Sequence, residues 1–400
     1  MHMSHELTVS REGSNLSARQ QERSPPVQGF LRPSGARAQL GFTRAELVAT
    51  LATALASFAV VLVLVGAARS RSMEHASLAN LRVQATAHAA YAASWSDRQP
   101  TFIHDEFALS GNSYPQAIAL FGCLPPLILG FGGTYPPAGA LATWGYWLPP
   151  CDNPTSGSQS NLNMYHPFSF AGTAVGHGTF MLVNTPVINS YVNGRFMDRV
   201  FYAPADRTRM SAVGPGLESP HPFTLVADGK WMCFSSYIMS PAAMYHPKVF
   251  GGSDQGVGGP FVGPFNFDAS FKSPTVSQCA HPELKSRLIE HGWLQNAPFL
   301  TNPAFVPGSM LHFNMGADSV PMTLFFDGHT GPLPIRKVLD ENAAVVAGGG
   351  ASLWMTPVGS GPWQVYGGYY SSASVDGTNT SVHVFTRGGI LGRDQVTAGQ

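Results

Sequence analysis

The feature that most constrains this chain is a run of 22 residues, Leu47 to Ala68, without a single charged side chain. Leu, Val and Ala dominate it. As an α-helix rising about 1.5 Å per residue it reaches about 33 Å, enough to cross a hydrocarbon core of about 30 Å. A helix apolar on every side has no face to give to water, so the run predicts a membrane-spanning helix. Thr50, Thr53 and Ser57 fit such a helix because their hydroxyls can return to its own carbonyls. The competing reading is a cleaved secretory signal, with an apolar region of about 7–15 residues and a small-residue cleavage site. Gly66-Ala67-Ala68 supplies small residues of that kind.

The flanks extend the reading. Residues 1–41 are polar and rich in Ser, Arg, Gln and Pro, and Arg32 and Arg37 precede Phe42 with no acid between. Such a leader lacks the apolar material to fold, and its basic residues hold that end in the cytoplasm. Beyond Ala68, Leu78, Leu81, Ala87, Ala90 and Tyr91 keep helical spacing, and no Gly or Pro intervenes between Ala67 and Gln99. One long helix is predicted from Phe42 to about Ser94. Residues 42–68 would span the membrane, 69–97 would continue outside it, and 98–400 would form a globular domain.

At the mouth of the apolar run stands Gly41-Phe42-Thr43-Arg44-Ala45-Glu46-Leu47. A carboxylate entering lipid is costly and calls for a partner. This stretch resembles the cleavage and methylation site of type IV prepilins and pseudopilins. The resemblance implies a cut by a prepilin peptidase between Gly41 and Phe42, N-methylation of Phe42, and Glu46 as the fifth residue of the mature chain. The freed amine and Glu46 attract strongly at low dielectric. Glu46 would then set the register between neighbouring copies. The alternative is a Glu46 solvated among the headgroups. Arg44 and Ala45 depart from the family, which carries apolar residues there, and the leader is long for it. Val200-Phe201-Tyr202-Ala203-Pro204-Ala205-Asp206 resembles a strand ending in a Cys-Pro-Ser-Asp-like turn in large pseudopilin-like proteins of Planctomycetes and Verrucomicrobia, with alanine in place of the cysteine. Thr323-Leu324-Phe325-Phe326-Asp327-Gly328-His329 resembles their C-terminal strand and Asp-Gly turn. The His that usually precedes that turn by about ten residues is absent; Ala317 stands there and His312 lies further back.

Past Asp97 short apolar runs alternate with turn residues. Charged residues make up 12% of the chain, about half the usual share. With 43 Gly and 32 Pro, this favours a loop-rich β domain and an α+β fold of pilin-like type. Expected strands are Ala117–Phe121, Thr179–Val183, Arg199–Tyr202, Phe223–Val226, Trp231–Tyr237, Met322–Phe326, Gln364–Tyr370 and Ser381–Arg387. Turns are expected at Gly132-Gly133, Val192-Asn193-Gly194 and Asp327-Gly328. Helical spacing in this region is limited to Pro282–Gly292, Gly348-Gly349-Gly350-Ala351 reads as a loop, and the last ten residues read as frayed.

The four cysteines, Cys123, Cys151, Cys233 and Cys279, form no CxxC or zinc-like cluster. In an exported domain Cys123–Cys151 and Cys233–Cys279 would close the shortest loops, but the connectivity is open and free thiols remain an equal reading. No HExxH, GxSxG or P-loop is present. The His-Pro steps at His166, His221, His246 and His281 lack ligand spacing, so no metal or cofactor is expected. Asp376-Gly377-Thr378-Asn379-Thr380 reads as a polar hairpin turn, with calcium binding as the alternative. Zero net charge gives no reason to expect nucleic-acid binding. The sequence therefore points to a non-enzymatic pilin-like or pseudopilin-like subunit of the inner membrane, N-terminus cytoplasmic and C-terminal domain periplasmic or extracellular. It would be a minor or capping part of a type IV pilus-like or type II secretion-like assembly. Its partners would be membrane lipid, the prepilin peptidase and further pilin-like subunits. The rival is an anchored periplasmic enzyme or ligand-binding module that uses the motif for delivery alone.

Overall fold

The computed structural model describes residues 43–100, parts of 183–217, and residues 235–251, 273–290, 318–354 and 382–397, together with the backbone of strands at 127–134 and 141–146. The expected strands at 117–121, 223–226 and 364–370 and the loop at 376–380 lie outside the described residues, as does the leader. Two compact units are distinguished, residues 1–61 and 62–400. Helix α1 (Arg44–Ser94) is continuous over 51 residues, close to the expected span.

Burial along α1 changes with composition. From Leu47 to Val65 every Leu, Val and Phe is between 51% and 71% exposed. From Ser77 onward a stripe appears: Ser77, Leu81, Gln84, His88 and Tyr91 are buried, with Ala87 beside them. Their spacing of three and four residues places them on one face. Tyr91 packs edge-on against Tyr191 and stacks with Trp95. The helix ends where Ser96 and Asp97 adopt φ of 53° and 66° and the Asp97 N–H returns to the Ala92 carbonyl at 2.8 Å. A left-handed residue just past the last turn is a common way to satisfy terminal carbonyls.

The sheet of the larger unit is antiparallel, in the order β3 (Tyr237–Met239), β4 (Ser286–Glu290), β5 (Met322–Phe325), β6 (Thr330–Pro332). A separate antiparallel pair joins β1 (Leu127–Thr134) to β2 (Leu141–Tyr146), so Gly132-Gly133 lies within a strand rather than at a turn. β3, β4 and β5 are buried throughout. The core around them includes Leu81, Tyr91, Phe201, Tyr237, Phe250, Leu288 and Trp354. The result is an α+β arrangement of one long apolar N-terminal helix and a sheet.

Local pattern was overridden in several places. Pro282–Gly292 is not a helix: residues 282–285 form a turn, and β4 follows. Leu284, Leu288 and Ile289 do have helical spacing, but pairing with β3 on one side and β5 on the other fixes Ser286–Glu290 as an inner strand. Arg199–Tyr202 is a 3-10 turn over Arg199–Phe201, because the Asp198 carboxylate accepts the Val200 N–H at 3.0 Å. Of the strand expected at Trp231–Tyr237, residues 231–234 lie outside the described residues, Ser235 and Ser236 are not in a strand, and β3 starts at Tyr237. Of the strands expected at Thr179–Val183 and Ser381–Arg387, residues 179–182 and 381 lie outside the described residues; Val183 lies in a turn, and residues 382–388 are turns and a bend apart from a bridge of Thr386 to Trp354, followed by a 3-10 turn over Gly389–Leu391. β5 matches the expected strand at Met322–Phe326, and Asp327-Gly328 makes the β5–β6 turn with Gly328 at φ +90°. Helix α2 (Ile335–Ala347) was not expected; it follows Pro334, buries Ile335 and Val338, and stops at the anticipated glycine run. The C-terminal stretch is not frayed up to Thr397: Asp394 is fully buried, and the Glu341 carboxylate on α2 accepts the Val396 N–H at 2.6 Å.

Candidate functional site

Three places carry the chemistry. The first is the start of α1. The Thr43 hydroxyl accepts the Glu46 N–H at 3.3 Å, while the Glu46 carboxylate accepts the Thr43 N–H at 2.8 Å and its hydroxyl proton at 2.9 Å. This reciprocal capping box satisfies two N–H groups that a helix start otherwise leaves open. Thr43-Arg44-Ala45-Glu46 has the Thr-x-x-Glu spacing of such a box, so Glu46 has a local capping role as well as a charge. Thr50 and Thr53 donate to the carbonyls of Glu46 and Ala49 at 2.7 and 2.9 Å, which lets hydroxyls sit on an apolar helix. Gly41 and Phe42, the expected cleavage pair, lie outside the described residues, as do Cys123, Cys151 and Cys233. Cys279 is a buried free thiol, pushed up to about 11 by burial, so the structure holds no disulfide at this position.

The second place is a polar centre wholly inside the larger unit. The Lys285 ammonium donates to Ser240 Oγ at 2.7 Å, Thr386 Oγ1 at 2.8 Å and Asp394 Oδ2 at 2.8 Å, which uses all three of its protons. Asp394 also accepts the Ser286 N–H at 3.0 Å and the hydroxyls of Ser286 and Thr386. Burial alone would raise the Asp394 carboxyl, but the Lys285 charge and these hydrogen bonds hold it below its ordinary value. His383, at φ +73°, sets Nδ1 2.6 Å from Ser286 Oγ and Nε2 3.2 Å from the Ile238 carbonyl. Burial, then the Lys285 charge, drives its imidazole down to about 3.

Serine, histidine and aspartate together invite a hydrolytic reading, which the geometry rejects. Ser286 lies between His383 and Asp394, whereas a nucleophile–base relay needs the imidazole in the middle. Lys285, Ser286, His383 and Asp394 are each 0% exposed, so no substrate reaches them. The cluster joins β4 to the C-terminal segment as a satisfied buried network. No local pattern marks it, because its members are separated by up to 154 positions, from Ser240 to Asp394. Asp206, in the second stretch of family resemblance, is likewise buried and accepts the Ser236 hydroxyl at 2.7 Å.

The third place is an open cavity of about 470 Å³ between the C-terminal part of α1 and the sheet. Ala85, Ala89, Ala92 and Ala93 form its helical wall, with Leu324 and Phe326 opposite. Arg287 also lines it. Along β4, Ser286 pairs with Phe325 and Leu288 with Leu324, so Arg287 is the extra residue of a β-bulge. Bulges of this kind re-aim a side chain. The Arg287 guanidinium lies 5.3 Å from the centre of the Phe326 ring, and its Nε and Nη2 are buried without a hydrogen-bond partner among the described residues. Burial pulls it down to about 10. Asp97 accepts the Ser277 N–H at 2.9 Å and Asp327 accepts His329 Nδ1 at 2.6 Å, which sets two carboxylates along the same cavity.

His246 accepts the Lys248 N–H through Nδ1 at 3.2 Å as a helix cap, while His166 and His221 lie outside the described residues. Among the described residues no group of three or more His, Cys, Asp or Glu side chains is placed to hold a metal ion. Comparison with protein-family models, with curated proteins and with solved structures returned no match.

Proposed function

We propose that this protein is a membrane-anchored, pilin-like or pseudopilin-like subunit of the cell envelope, in a minor or capping position. The observation that carries this reading is the exposed sleeve of α1. Eleven large apolar side chains from Leu47 to Val65 stand open in a stretch with no charge. α1 is long and apolar enough to cross a membrane, and its most apolar window has no buried residue, unlike the core helix of a soluble protein. An exposed apolar surface of this size needs lipid or a partner to cover it. The capping box adds a second support. It fixes Glu46 on the first turn of α1, four residues along the sequence from Phe42, where the family resemblance puts the freed amine. The basic leader then stays on the cytoplasmic side and the sheet-bearing unit lies outside.

The test is co-expression with and without a prepilin peptidase. Loss of residues 1–41 only when the peptidase is present, with the product in the membrane fraction, is the expected result. The reading fails if the chain stays unprocessed or partitions into the aqueous fraction. The cavity beside Arg287 favours the rival role of an anchored ligand-binding module, which shares the anchor and differs only in what the outer unit does.

A further inference from the structure

We propose that the contact of α1 with the sheet over Ser77–Gln84 is a pH-gated latch, shut in acid and loosened as the pH rises past neutral, with the Glu290 carboxyl as its trigger. The inference does not depend on how the chain is processed or on what it assembles with.

The latch is a short run of polar contacts. Ser77 Oγ meets the Glu290 carboxyl of β4 and lies 2.9 Å from the Tyr237 hydroxyl of β3. Asn80 donates to the carbonyls of Arg199 and Tyr202 at 3.3 and 3.0 Å, and Gln84 donates to the Val200 carbonyl at 2.9 Å. Leu81 is fully buried among them. The end of α1 is pinned separately. Tyr91 packs on Tyr191, Trp95 Nε1 donates to the Tyr191 hydroxyl at 3.2 Å, and Arg98 donates to the Ser273 carbonyl at 2.8 Å. Ser77–Gln84 can therefore open while the later turns stay docked, as a local event rather than global unfolding.

Glu290 is the member of this run whose charge can change. Its carboxyl is buried at the end of β4 and accepts the Met322 N–H of β5 at 3.0 Å. The charged groups that face it are Glu74 of α1 and the buried Asp206, both acidic. Tyr237, the remaining titratable neighbour, is kept neutral first by burial and then by the Glu290 charge. No Lys, Arg or His forms an ion pair with Glu290 among the described residues. The hydroxyl chain serves either state. With Glu290 neutral, its proton goes to Ser77 and that of Ser77 to Tyr237; with Glu290 ionised, both donors turn round. Hydrogen bonding thus favours neither, and the trigger is a buried charge with two like charges and no cation near it. Burial, only partly offset by the bonds from Ser77 and Met322, raises Glu290 from 4.5 to about 7. The shut latch therefore holds best below pH 4.5 and weakens as the pH climbs through about 7, because opening gives the ionised carboxylate water.

The experiment is hydroxyl-radical footprinting of the full chain in lipid nanodiscs from pH 5 to pH 8, read by mass spectrometry at Tyr237. That ring is closed to solvent between α1 and the sheet. Tyr245, buried away from the latch, reports global unfolding. Oxidation of Tyr237 should rise about tenfold or more between pH 5 and pH 8, while Tyr245 stays protected. In Glu290→Gln, which cannot ionise, Tyr237 should stay protected throughout. A flat Tyr237 signal in the wild type overturns the proposal, as does a rise matched at Tyr245. An equal rise in Glu290→Gln also overturns it. If Glu290→Gln fails to fold, the comparison of Tyr237 with Tyr245 in the wild type still decides.

Discussion

Glu290 offers the sharpest test of how α1 is joined to the sheet. It sits at the end of β4, 4% exposed, where its carboxylate accepts the Met322 N–H at 3.0 Å and the Ser77 hydroxyl of α1. The Ser77 hydroxyl lies 2.9 Å from the Tyr237 hydroxyl of β3. No cation pairs with this carboxylate among the described residues. Burial, only partly offset by the hydrogen bonds from Ser77 and Met322, raises it from 4.5 to about 7. The folded state thus prefers the neutral acid. That preference contributes stability below pH 4.5 and is lost as the pH rises through about 7. At about 1.4 kcal/mol per pH unit, the gap corresponds to about 3 kcal/mol. Glu290→Gln keeps the geometry. The amide oxygen accepts the Met322 N–H, the amide NH₂ donates to Ser77, and Ser77 turns its proton to Tyr237. Urea unfolding of the full chain in detergent, read by tryptophan fluorescence, should show the variant close to wild type at pH 4. It should then gain about 3 kcal/mol on wild type by pH 8. The difference between the two proteins cancels the opposite trend from His383. A difference that stays flat from pH 4 to pH 8 would refute the reasoning.

Further outcomes follow from the other sites. Lys285→Met leaves Asp394 charged and unpaired in a fully buried place, so it should cost about 3–5 kcal/mol in the same unfolding assay. His383 is held down to about 3 from 6.5. Its contribution is present above pH 6.5 and fades as the pH falls towards 3, and its imidazole should stay neutral at pH 5 by nitrogen NMR. Asn tolerates the left-handed backbone at this position, so His383→Asn should flatten that acid limb. At the start of α1, Glu46→Gln preserves the capping box while removing the charge, and Glu46→Ala removes both. If the charge keys neighbouring copies, cysteine crosslinking in the membrane should vanish in both variants while insertion survives. Crosslinking that survives in Glu46→Gln would assign Glu46 to capping alone.

The helix was legible because its signals are local and repeated. Twenty-two uncharged residues, continued helical spacing and the absence of Gly or Pro from Ala67 to Gln99 all act within a few turns of one another. β5 and its Asp-Gly turn were legible for the same reason, since Gly328 answers a local demand for positive φ. β4 was not. Lys285, Ser286 and Glu290 are polar residues in or just before a buried strand that only distant partners make tolerable: Asp394 for Lys285 and Ser286, Ser77 for Glu290. Without those partners, the spacing of Leu284, Leu288 and Ile289 reads as a helix. The C-terminal residues read as frayed because Asp394 and Gln395 are polar, and the burial of Asp394 rests on long-range contacts of the same kind. Arg287 carried no sequence mark at all. It was placed by a bulge, and a bulge belongs to the pairing of two strands rather than to either one.

The account rests on α1 as an anchor whose mature end begins beside Glu46. Mass spectrometry of the N-terminal peptide from the membrane fraction tests that most directly. The account predicts a peptide beginning at N-methylated Phe42. A chain with residues 1–41 intact, recovered from the aqueous fraction, would contradict it.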